Sequence, residues 1–136
     1  MGRLAVEPEA RIRIHLDALK IKPGVTFVMR DAGYEPTGEY FVCCDVGLFV
    51  GHVDRNASGT RVLTGDITPW GAVTEPAMRS EGLLSEEGPY KLTVTVAHPK
   101  FDVTWTWSRA TSMPNRDRDE LAAFGAEVLR RTTAVR

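Results

Sequence analysis

The sequence predicts a mostly-β domain closed by an amphipathic helix at its C-terminal end, and three patterns carry that expectation. Residues 91–107 alternate apolar and polar side chains on both sides of a four-residue link. Residues 25–64 form short β-branched and aromatic runs separated by Gly, Pro, Asn and Asp. Residues 117–133 carry apolar side chains at helical spacing.

The 136 residues fit one domain, 1–136, with a loose tail at 1–8, a β region at 25–109 and a closing helix at 117–133. A chain of this size buries enough surface to fold without a metal or disulfides. The formal net charge is −1, from 17 Lys+Arg against 18 Asp+Glu. That balance argues against nucleic acid as a partner, because affinity there rests on many phosphate contacts. It argues equally against a polybasic membrane-surface domain. The N-terminus lacks the apolar core of a signal peptide, and no apolar run reaches the length of a membrane span. The expected compartment is the cytoplasm, with no integral membrane association. The Asn56-Ala57-Ser58 sequon carries no weight without secretion.

From Pro8 the pattern is two-sided. Ala10, Ile12, Ile14, Leu16 and Ala18 alternate with polar residues, as in a strand. Ile12, Leu16 and Leu19 also share one helical face, Pro8-Glu9 suits a helix start, and Lys22-Pro23-Gly24 is a stop. We read residues 9–20 as helix; an added strand in a different α+β sandwich is the competing reading. Next come strands at 25–30, 39–46, 48–53 and 60–64, with turn chemistry at 31–38 and 54–59. Gly47 marks a turn or bulge. Pro69 belongs at an edge, a strand start or a bulge, and a strand is expected at 70–74. Residues 75–90, rich in Glu, Gly, Ser and Pro, read as a surface loop.

Leu92, Val94 and Val96, then Phe101, Val103, Trp105 and Trp107, place one apolar face on a hairpin whose other face is threonine. Each aromatic buries on the order of 150–250 Å². At about 25 cal/mol per Å², that area drives the aromatic face inward. In the last helix Leu121, Phe124, Val128 and Leu129 make one stripe, and Asp117 or Asn115 is placed to cap it. Asp117 with Glu120 has capping-box spacing. Gly125 lies on the stripe, where it permits close approach to a sheet. Arg130, Arg131 and Arg136 complement the helix dipole.

A possible helix, seven short strands and a closing helix resemble the pleckstrin-homology-like superfold, a partly open antiparallel barrel capped by its C-terminal helix. The stretch Gly47-Leu48-Phe49-Val50-Gly51-His52 followed by Asp66-Ile67-Thr68-Pro69-Trp70-Gly71-Ala72-Val73 is similar to bacterial and GRAM-type members. The resemblance covers residues 25–132. It implies a binding or scaffolding module, with no enzyme activity and no cofactor. Phosphoinositide-binding members use basic residues across the first two strands and their loop. Here Lys20, Lys22 and Arg30 are followed by Asp31, Glu35 and Asp45 with no further Lys or Arg, so phosphoinositide binding is disfavoured.

Catalytic and metal signatures are missing from the sequence. His15, His52 and His98 have no zinc-site spacing, no Cys-x-x-Cys exists, and the serines lack a nucleophile elbow. No glycine run forms a phosphate loop, and the Glu86-Glu87 pair sits in a solvated loop. Cys43 and Cys44 are adjacent, so their side chains point to opposite faces of a strand and pack as small hydrophobes. His52 is one candidate for meeting Cys44 across a hairpin. Trp70, Trp105 and Trp107 are read as core and not as base-stacking platforms. The candidate ligand-binding residues are therefore His52, Trp70 and His98, with no catalytic residue and no metal ligand. The expected partner is a protein or a second copy, docked between the fifth strand and the closing helix by strand addition or in a groove. The alternative is a small barrel holding an apolar ligand, or doing simple hydrolysis or isomerisation. The aromatic face 101–107 and the three histidines motivate it.

Overall fold

The computed structural model describes residues 8–30, 36–55, 57–99, 102–109 and 115–135. Among them, the chain runs α1 (Pro8–Ala18), β1 (Pro23–Arg30), β2 (Pro36–Cys44), β3 (Gly47–Arg55) and β4 (Arg61–Pro69). A 3-10 turn (Trp70–Ala72) leads to β5 (Thr74–Glu81), β6 (Lys91–Ala97), β7 (Asp102–Ser108) and α2 (Asn115–Ala134). The strands form two antiparallel sheets, β1-β2-β3-β4 and β5-β6-β7. Residues 1–7 of the predicted tail at 1–8, the loop at 31–35, Asn56, Phe101 and Arg136 lie outside the described residues, while Pro8 begins α1.

The first sheet is covered on both faces, and the period-2 alternation of its strands divides the side chains between them. Phe27, Phe41, Cys43 and Leu48 point inward to the second sheet and α2. Val28, Tyr40, Val42, Cys44 and Phe49 point outward, where Ile12 and Leu16 of α1 seal them. The helical reading of the first element therefore holds. The two cysteines are free and buried on opposite faces, as their adjacency requires.

The β6–β7 hairpin has the predicted register: Leu92 opposite Trp107, Val94 opposite Trp105 and Val96 opposite Val103. Its apolar face meets Leu121, Phe124 and Val128 of α2, all fully buried. Leu129, placed on the same stripe, is half-buried at its margin. Trp105 meets Phe124 and Phe41 edge-on, with ring centroids 4.9 and 5.1 Å apart. Such contacts add about 0.5–1.5 kcal/mol each to the burial itself. A Cβ on Gly125 would lie 2.7 Å from Met78 Cε and Val94 Cγ2, so the glycine does permit close seating.

Three expectations are corrected. The strand expected at 70–74 is the 3-10 turn, and β5 occupies 74–81, part of the expected surface loop. β5 is polar because it is an edge strand, with Glu75 (φ 51) and Pro76 just after its start and Met78 directed at α2. Its pairing with β6 decided the conformation, and local composition did not. The strand expected at 60–64 continues as β4 to Pro69. Glu120 does not close a capping box; its Oε1 accepts the N–H of Val28 on β1 at 2.9 Å.

Candidate functional site

The inner face of the first sheet shows where a cleft opens toward solvent. Cross-strand neighbours share a face. Cys43, Leu48 and Thr68 form an inner row that is buried. The next row, Phe41, Val50 and Asp66, passes from core to solvent. The outermost, Glu39, His52 and Thr64, is exposed. Together with Met29 of β1 and Val103 and Thr104 of β7, the outer rows line an open cleft of about 510 Å³.

The cleft has an apolar throat and an acidic rim. Met29, Phe41, Val50 and Val103 make the throat; Glu39, His52 and Asp66 stand above it. Among its described lining residues there is no Lys or Arg. Asp54 lies two residues along β3 from His52, on the same face, and extends the rim. Its Oδ2 is 3.5 Å from His52 Nε2. The Arg55 backbone N–H, then the His52 side chain, hold the Asp54 carboxyl below its usual range. Both partners are largely in solvent, 54% and 76% exposed, so the pair contributes little to stability.

The three candidate residues do not converge. His52 is at the rim, where it pairs with Glu39 across the strands and not with Cys44, which faces the other side of the sheet. Trp70 is buried, and its indole N–H donates to the Cys44 carbonyl at 2.8 Å, fastening the 3-10 turn to the end of β2. His98 is buried, with Nε2 2.7 Å from Thr68 Oγ1, which ties the β6–β7 turn to β4. Trp70 and His98 therefore act as fasteners between elements.

Neither thiol is a ready nucleophile. Burial, then the neighbouring Cys44 thiol, pushes Cys43 up to about 12, against a weaker pull from Arg131. Burial and Asp45 push Cys44 up to about 11. Among the described residues no group of three or more His, Cys, Asp or Glu could hold a metal. No helix there is long and apolar enough to cross a membrane. The corner between β5 and α2 is packed at Gly125 by Met78 and Val94.

Sequence reasoning missed Glu39, Asp66 and the apolar throat. The available signal was the repeated inward position on β2, β3 and β4, but it becomes a cleft only once the strand register is known.

No family model matches the chain, and no curated protein matches it either. Among solved structures it is similar to a DUF1696 family protein with a pleckstrin-homology domain from Shewanella loihica PV-4. The sequences are 12% identical, the TM-score is 0.50, and the match covers 97% of this chain and 99% of that one. At that identity the likeness speaks to the fold, and the fold is pleckstrin-homology-like: seven antiparallel strands in two sheets closed by a C-terminal helix.

Proposed function

We propose that the chain is a non-enzymatic protein-binding module whose open cleft takes a basic, partly apolar segment of a partner. The observation that carries this is the pairing of an apolar throat with Glu39 and Asp66 at its rim. Burying an alkyl stem in the throat gains hydrophobic free energy, while a terminal cation stays at the rim beside carboxylates. Lys and Arg side chains have that form. Anionic headgroups meet like charge at this end of the fold, which supports the reading that phosphoinositides are not its ligand.

The experiment is calorimetric titration with a short peptide of alternating Lys and Leu, and with its Glu–Leu counterpart. The Lys–Leu peptide is expected to bind, and the Glu–Leu peptide to fail. Converting both rim acids, Glu39→Lys with Asp66→Lys, should weaken Lys–Leu binding by about tenfold or more. A small apolar ligand in the throat is the competing occupant. It predicts affinity indifferent to peptide charge and to these substitutions.

A further inference from the structure

Each sheet has two edge strands, and the edges at β1 and β5 are obstructed. β1 starts at Pro23, changes register near both ends, and gives its Val28 N–H to Glu120 of α2. β5 carries Pro76 and a register shift beside the positive-φ residue Glu75. These are the usual ways by which an edge is kept from pairing with another chain.

Among the described residues β4 shows no register shift and no internal proline, and Asp66 is its one inward-pointing charge. The strand pairs with β3 without interruption from Gly47–Pro69 to Arg55–Arg61, and its proline is its last residue. It carries no lysine and stays exposed over most of its length. Its outward side adjoins an apolar groove of about 310 Å³ between α1 and the sheet, lined in part by Leu16, Leu19, Leu63 and Ile67. Leu19 is 66% exposed there. Gly51 and Gly65 face each other across β3 and β4, and the Phe49 ring covers both. The sheet surface beside the edge is therefore low and apolar.

We propose that β4 is the dimerisation edge of this protein and that its occupant is the β4 strand of a second copy. The strand is self-complementary about Gly65. An antiparallel two-fold pairing centred there sets Leu63 opposite the second copy's Ile67 on the outward face, twice. On the inward face it sets Thr64 opposite Asp66, a hydroxyl donor against a carboxylate acceptor. Centring on Thr64 instead sets Leu63 against glycine and Val62 against Asp66, which wastes the apolar match. The dimer has one continuous sheet, both copies of α1 on the same face, and the two grooves meeting across the seam. A net charge of −1 per chain offers little repulsion between copies. This inference goes beyond the cleft reading and does not depend on what the cleft binds.

Sedimentation velocity over a wide concentration range, paired with amide hydrogen exchange, tests it on the intact chain. The expected result is a monomer–dimer equilibrium, with protection across residues 61–69 that rises with protein concentration. Leu63→Lys, checked for folding by circular dichroism, should raise the dimer dissociation constant by about tenfold or more. Val62→Lys, at a more exposed position of the same strand, gives the same readout if Leu63→Lys does not fold. A wild-type chain that is monomeric throughout overturns the inference. So does a dimer whose added protection falls on β5 or β7.

Discussion

Cys43 and Cys44 show how much a single residue's place on a strand decides. Adjacent on β2, they enter different cores: Cys43 faces Trp105's side of the sheet and Cys44 faces α1. That partition was legible from the dipeptide alone, because strand neighbours alternate. Its energetic consequence is pH-dependent. From its ordinary value of 9.0, the Cys43 thiol is pushed up to about 12 by burial. Between those values the folded chain keeps a proton that the unfolded chain has released. The unfolded state then binds fewer protons, so stability falls as pH rises through this window and is unaffected below it. Urea unfolding midpoints at about pH 8 and about pH 10.5 should drop further for the wild type than for Cys43→Ala. Equal drops would mean that the thiol titrates normally. Trp70 and His98 illustrate the opposite case. Their residue types suggested ligand contact, but their partners, the Cys44 carbonyl and Thr68 Oγ1, come from distant strands and are invisible in a linear reading.

At the scale of elements, the β6–β7 hairpin and α2 were readable because their periodicity agrees with what they bury. Leu92, Val94 and Val96 alternate strictly, and the structure pairs them with Trp107, Trp105 and Val103. β5 was not readable, since an edge strand with one apolar anchor, Met78, has a composition no different from a loop. Gly125 was read correctly because a glycine on an otherwise apolar stripe is costly unless something sits close to it. That argument yields a prediction with a sign. In an exposed helix, Gly→Ala stabilises by about 1 kcal/mol. Here the new methyl would meet Met78 and the stiff, β-branched Val94, so Gly125→Ala should destabilise by about 1–3 kcal/mol in urea unfolding. A more stable variant would show that α2 is not seated on β5 and β6 as described. Glu120 belongs at this scale too: its spacing from Asp117 suggested a local cap, but a backbone N–H on β1 offered a better partner.

For the whole molecule, a near-neutral chain conceals a polarised one. The formal charge of −1 averages over a cleft whose described lining holds Glu39 and Asp66 without a Lys or Arg. The architecture was legible in sequence because strand count, turn chemistry and a terminal amphipathic helix all follow from local patterns. A solved pleckstrin-homology-containing structure at 12% identity has the same fold. The cleft was not legible, because Met29, Glu39, Val50, His52, Asp66 and Val103 come from five strands and converge only through strand register and the packing of the two sheets. Backbone amide shift mapping during titration with the Lys–Leu peptide tests the central claim most directly. The account predicts perturbations concentrated at Glu39, Val50, His52, Asp66 and Val103. Perturbations gathered instead along β5 and α2, or none at all, would contradict it.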